Sequence, residues 1–228
     1  MSANWTIGFD GDDTLWHNES IFSMTQERFR AILGGIDADE IDRRLLETER
    51  RNLGLFGYGI KGFVLSMIET AIEVTDGRVE ARDIQTLIEA GKSMLAHPVD
   101  LLDGVAETVE YLSHSHRLVL VTKGDLFDQE SKIARSGLAE LFDRIEIVSE
   151  KDPETYRRIL ARHGIAPDRF LMVGNSVRSD VLPVLEIGGR AVHVPYHITW
   201  AHEHVEPPAE GYRRIDGMAE LTGVVAGL

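Results

Sequence analysis

Cysteine is absent from the 228 residues, which removes a disulfide framework and a thiol nucleophile from consideration. A basic surplus is missing too: 24 Lys and Arg stand against 38 Asp and Glu, for a formal net charge of −14. That balance argues against binding nucleic acid or an anionic membrane through bulk electrostatics, so an anionic small molecule has to be drawn by a local positive site. No apolar run is long enough to span a bilayer, and Met1-Ser2-Ala3-Asn4-Trp5 lacks a basic-then-apolar leader. A soluble, cytoplasmic protein is the expectation. Internal repeats and low-complexity tracts are also missing. The length allows one large or two small domains, and 43% hydrophobic residues are enough for a sizeable core.

What is present is organised around Thr6-Ile7-Gly8-Phe9-Asp10-Gly11-Asp12-Asp13-Thr14-Leu15-Trp16. The β-formers from Trp5 to Phe9 predict a buried strand, and Gly11 lets the chain turn just past Asp10. Asp10 and Asp12 then sit at the carboxyl end of a strand, where open parallel sheets place ligands. Carboxylates that close repel unless a cation lies between them or one keeps its proton, and a hard ion such as Mg²⁺ meets that demand. An acidic turn with local Asx hydrogen bonds is the plainer reading of the same residues.

After Trp16 the periodicity becomes helical. Ile21, Met24, Phe29 and Leu33 mark one helix, and Asp37 with Glu40 makes a capping-box start for a second that breaks at Gly54. A third carries Ile60, Phe63, Val64 and Met67, and a fourth Ile84, Leu87, Ile88 and Met94. From Pro98 helix and strand alternate: strands are expected at Arg117 to Val121, Arg144 to Val148, Phe170 to Val173 and Arg190 to Val194. Helices are expected near Val105 to Leu112, Asp125 to Ser136, after Asp152-Pro153, and at Arg178 to Ile187. A last strand and helix fall around Tyr212 to Val225. Such alternation implies a mostly parallel sheet with helices on both faces. The expected division is an α/β core from residues 1–16 and 99–228, with a helical bundle of residues 17–98 inserted.

Four motifs in order carry a resemblance. Asp10-Gly11-Asp12-Asp13-Thr14-Leu15, Thr122 after Leu118-Val119-Leu120-Val121, Lys151 before Asp152-Pro153-Glu154, and Gly174-Asn175-Ser176-Val177-Arg178-Ser179-Asp180 resemble the four motifs of the haloacid dehalogenase-like hydrolase superfamily. The resemblance implies a Rossmann-like core with a helical cap inserted after the first motif. It also implies phosphoryl transfer from a small phosphorylated metabolite, assisted by Mg²⁺. Asp10 is then the nucleophile that forms an aspartyl-phosphate, dividing one displacement into two. Asp12 is the general acid and base, giving a proton to the departing alcohol and later taking one from water. Thr122 and Lys151 contact the phosphate oxygens, and main-chain N–H groups near Gly11, Asp12 and Lys123 complete the cradle. The metal falls to an Asp10 oxygen, the Asp12 carbonyl and a side chain of the fourth motif. There this chain has Asn175 where the commonest form is acidic, so the third ligand is Asn175 or Asp180.

Specificity is expected from Gly54-Leu55-Phe56-Gly57-Tyr58-Gly59-Ile60-Lys61-Gly62, where Phe56, Tyr58 and Lys61 stand on a glycine-broken loop suited to closing over a pocket. Trp16 and His17 follow the first expected strand closely enough to line the pocket entrance, with a core position the plainer reading of Trp16. His193, His197, His202 and His204 do not have the spacing of a zinc motif. Two rivals follow from Asn175: a 2-haloacid dehalogenase, and a catalytically weak relative that binds a phosphometabolite. Against the first stands Asp12, since a leaving halide needs no proton and a leaving alcohol does.

Overall fold

The computed structural model describes residues 5–198, 200, 203 and 205–228; His202 and His204 lie outside them. Strand β1 (Thr6–Phe9) is followed by helices α1 (Glu19–Ile32), α2 (Ala38–Phe56), α3 (Ile60–Val74) and α4 (Ala81–Leu95). Then come α5 (Val105–Ser113), β2 (Arg117–Lys123), α6 (Leu126–Arg135), β3 (Arg144–Val148), α7 (Pro153–His163) and β4 (Phe170–Gly174). The chain closes with α8 (Leu182–Glu186), β5 (Arg190–His193), β6 (Arg213–Arg214) and α9 (Leu221–Ala226). Two compact units result: Met1–Glu19, Val99–Lys123 and Gln129–Leu228 form the first, and Ser20–Pro98 with Gly124–Asp128 the second.

In the first unit the six strands are all parallel, in the order β3-β2-β1-β4-β5-β6. Strand β2 shows why an unbroken apolar run is needed here. Leu118 and Leu120 join Ile7, Phe9 and Val109 on one face, while Val119 and Val121 join Tyr156, Ile159 and Met172 on the other. Both faces of a parallel strand are covered, so alternation with polar residues disappears. Asp152 caps α7 by accepting from the Thr155 N–H at 2.7 Å, with Pro153 in the first turn.

The second unit has its own core of Phe29, Leu45, Phe63, Met67 and Leu87, drawn from all four helices. Asp37 caps α2 through the Glu40 N–H. The expected break at Gly54 is corrected: α2 runs through it to Phe56 and stops at Gly57, whose φ of 72° favours glycine. A glycine inside a helix costs only about 1 kcal/mol, too little to end one alone.

Three further differences bear on the site. The chain from Asp12 to Glu19 stays with the sheet, since the Asp13 carboxylate accepts the N–H groups of Asn18 and Glu19 at 2.9–3.1 Å. Residues 124–128 group with the helices, where Asp125 meets Lys61 at 2.9 Å. The helix expected from Arg178 begins instead as a π-helical turn, Val177–Val181, before α8; its wider winding accompanies the buried Asp180 side chain.

Candidate active site

The carboxyl ends of β1, β2 and β4 meet at one place because β1 lies between the other two. Asp10, the residue after β1, is 7% exposed and its N–H is donated to the Val173 carbonyl of β4 at 2.9 Å. Lys151, after β3, reaches Asp10 Oδ1 with its ammonium at 2.5 Å and Asp180 Oδ1 at 2.8 Å. Asp180 is fully buried, and its other oxygen accepts the Ser176 N–H at 3.0 Å. Glycine at 174 makes this possible: a Cβ there would lie 2.2 Å from Asp180 Oδ2.

One ammonium between two buried carboxylates leaves a net negative charge. Burial and the neighbouring Asp180 push the Asp10 carboxyl up to about 7, against the pull of Lys151. Burial also works against the lysine's charge, but Asp10 and Asp180 outweigh it and hold the ammonium above the usual lysine range. Lys151 is therefore a fixed cation and Asp10 a carboxylate that gains from any further positive charge.

Asp12 takes a different environment. Its Oδ1 accepts from the Trp16 indole N–H at 2.6 Å and the Lys132 ammonium at 2.9 Å, and its Oδ2 from Gln129 at 2.8 Å and Lys132 at 3.0 Å. Trp16, expected at the pocket entrance, is 1% exposed; its ring is core and only its N–H faces the site. His17 is hydrogen-bonded to the Tyr196 hydroxyl at 2.7 Å. The Thr122 hydroxyl is buried and donates to Gln129 Oε1 at 3.0 Å. It lies so close to the turn that a Cβ on Gly11 would stand 3.1 Å from it. Gly11, Asp10, Asp12, Thr122 and Lys151 thus come together.

Lys123 follows Thr122 at the end of β2. Its ammonium binds Glu203 at 2.5 Å and Ser179 at 3.3 Å, and Glu203 in turn accepts the hydroxyls of Ser176 and Ser179 at 2.5 and 2.6 Å. Burial alone would raise the Glu203 carboxyl, but Lys123 and the two serines hold it down to about 2. Phe56, Tyr58 and Lys61 belong to the helical unit: Phe56 is half exposed at the end of α2, Tyr58 follows Gly57, and Lys61 lies in the first turn of α3. The Lys61 ammonium is engaged by Asp125 and stands 5.5 Å over the Phe127 ring. His193 donates to the Asn175 carbonyl at 2.9 Å rather than joining a metal cluster.

Among the described residues no group of three His, Asp or Glu side chains is arranged to hold a metal. The donor set that does converge is oxygen from mixed sources: Asp10 Oδ2 and Asn175 Oδ1 each lie 3.4 Å from the Thr14 hydroxyl. Two such neutral and acidic oxygens suit a hard cation. Each oxygen of Asp180 accepts one hydrogen bond, from Lys151 and from the Ser176 N–H.

Four participants escape a reading of motifs. Thr14 had a signal, standing in the first motif; its hydroxyl also accepts the Asn175 N–H at 3.0 Å and ties the two loops together. Gln129 and Lys132 share one helical face three residues apart, a pattern too common to single out. Glu203 sits in a polar loop with no pattern at all.

Comparison with known proteins agrees with this geometry. Glyceraldehyde 3-phosphate phosphatase of Methanothermobacter thermautotrophicus is 28% identical over 123 residues, 51% of this chain and 54% of that relative. Phosphoserine phosphatase of Thermus thermophilus is 32% identical over 97 residues, 39% of each chain. The chain thus spans about half or less of these curated relatives. A haloacid dehalogenase-like family hydrolase structure from Xanthomonas campestris is similar throughout, at 47% identity and a TM-score of 0.89 over 99% of this chain and 91% of that one. L-2-haloacid dehalogenase of Xanthobacter autotrophicus shares the fold alone, at 16% identity and a TM-score of 0.69 over 99% of this chain and all of that one. The family model for haloacid dehalogenase-like hydrolases matches residues 6–188. With the carboxylates, lysine and loops of the site supplied by that matched span, the chain belongs to the haloacid dehalogenase-like hydrolases.

Proposed function

We propose that this hydrolase is a Mg²⁺-dependent phosphatase that cleaves a small phosphomonoester through an aspartyl-phosphate on Asp10. The observation that carries the reading is a buried Asp10 held on one oxygen by Lys151, with a second carboxyl, Asp12, two residues on in the same turn. Asp10 attacks phosphorus, the ester P–O bond breaks, and its electron pair leaves on the alcohol oxygen, which takes a proton from Asp12. Water then attacks the phosphorus and gives its proton to Asp12, while the Asp10–phosphorus bond breaks and restores the carboxylate. Lys151, the Thr122 hydroxyl and the turn amides at Gly11 and Asp12 neutralise the oxygens of the transferring group. A magnesium ion on Asp10, the Asp12 carbonyl and Asn175 would add positive charge where the phosphoryl oxygens crowd the carboxylate. Asn175, not Asp180, is the assigned side-chain ligand of the fourth motif. The helical unit serves as the cap, with Phe56, Tyr58 and Lys61 the specificity residues. The phosphatase relatives support the reaction class.

A panel of phosphate esters assayed with Mg²⁺ and with EDTA tests this. Phosphate release is expected only with the metal, and Asp10→Asn is expected to abolish it while leaving the circular dichroism spectrum intact. Undiminished hydrolysis by that variant would overturn the assignment.

One observation favours a second reading, 2-haloacid dehalogenation: the amide of Asn175 stands where an acid is commonest, lowering the charge available to a metal. It requires halide release from 2-chloropropionate that survives EDTA. The same assay series separates the two.

A further inference from the structure

The carboxylate assigned to proton transfer is held by three donors, Trp16, Gln129 and Lys132. Lys132 places one ammonium on both oxygens of Asp12, at 2.9 and 3.0 Å, and on Asn18 Oδ1 at 2.9 Å. Gln129, one helical turn earlier on α6, donates to Asp12 Oδ2 at 2.8 Å and accepts from Thr122 at 3.0 Å. Both side chains are buried, Lys132 at 8% and Gln129 at 2% exposure. Two residues three apart on a helix face the same way, so α6 presents them to Asp12 as a pair. A lysine buried this deeply has lost its hydration, and its carboxylate partner must replace it. Nothing in the phosphate cradle requires that arrangement, since Lys151 and Asp10 form a separate ion pair.

We propose that Lys132 is a positioning residue for the acid and base step: anchored by Asn18 and assisted by Gln129, it fixes the Asp12 carboxyl at the angle from which it meets the ester oxygen. The inference rests on the phosphatase reading and deepens it. An ammonium bridging both oxygens restricts rotation of the carboxyl group, and the Gln129 amide links that orientation to Thr122. Removing Lys132 leaves the Asp12 carboxyl without a defined aim. Proton transfer from a positioned acid matters most when the leaving alcohol is a poor leaving group, and little for a phenolate that departs without help.

Lys132→Met, which keeps the stem and removes the charge, tests this with two substrates and Mg²⁺. For an alkyl phosphate such as glycerol phosphate, kcat is expected to fall by about 10- to 100-fold, part of the 10²–10⁴ available from general acid catalysis, with KM little changed. For p-nitrophenyl phosphate the loss is expected to stay within about threefold. Lys132→Arg, whose fork can still reach both oxygens, should recover part of the alkyl activity. Asn18→Ala, which keeps the lysine but frees it, should show the same bias in smaller degree, and it carries the test if Lys132→Met does not fold. Equal losses on both esters by the folded variants would overturn the positioning role while leaving the phosphatase reading intact. A wild-type protein inert on every ester would overturn the phosphatase reading, and this inference with it.

Discussion

Lys151 in the α/β unit and Arg43 in the helical unit each hold two carboxylates, yet the lysine side chain is 2% exposed and the arginine 51%. Lys151 joins Asp10, just after β1, and Asp180, in the π-helical turn that follows β4, residues far apart in the chain. Arg43 joins Glu40 and Glu47 of its own helix. The first cluster has given up its water and depends on each partner; the second keeps its water and depends on none of them. Charge in this molecule is therefore structural where chemistry is proposed and incidental on the outer faces of the bundle. Glu49 in α2 marks the difference from the other side, since burial pushes its carboxyl up to about 7 with no lysine or arginine paired to it among the described residues.

Breaking the buried cluster should produce the largest effect. Lys151→Met leaves Asp10 and Asp180 facing each other without a cation, and urea unfolding at pH 8 is expected to show a loss of about 3–5 kcal/mol. The loss should shrink at pH 6, where burial and mutual repulsion let one of the two carboxyls take a proton. A variant as stable as wild type at pH 8 would remove the distinction between the two regions.

An intermediate effect is expected from Glu203. Its folded value of about 2 lies below its unfolded value of 4.5, so its contribution is complete above about pH 4.5 and is lost as pH falls toward 2. Glu203→Gln should cost up to about 3 kcal/mol at pH 7, and the gap to wild type should narrow by pH 3. A constant gap across that range would mean that the carboxylate charge contributes nothing. The smallest effect belongs to Arg43→Ala, which should leave the thermal midpoint within experimental scatter in 0.5 M salt, where exposed pairs are screened. A clear drop in that salt would show that the helical unit also depends on its charges.

Much of the site was legible because a parallel sheet converts sequence order into spatial convergence. Asp10, Thr122 and Asp180 each follow or end an apolar strand, and Lys151 precedes a proline-started helix, so their positions could be read from local signals. The helices of the second unit were equally readable from apolar spacing, apart from the end of α2, where a positive backbone angle rather than composition decides. Lys132, Gln129 and Glu203 were not readable. Their partners lie far away in the chain, and a lysine on an amphipathic helix looks the same whether it faces water or Asp12. Trp16 admitted two readings, pocket wall or core: its ring fills the core and its N–H meets Asp12.

The position of β1 has a consequence for how the chain comes to life. Thr6 pairs with Arg117 on one side and Phe170 on the other, so this strand waits for two partners synthesised much later. Until β4 emerges, the Asp10 amide lacks the Val173 carbonyl, and Lys151 lacks its second carboxylate. Chains that stop short of Asp180 carry Asp10 without the partners that hold it, so the buried cluster forms only when the tertiary structure is complete.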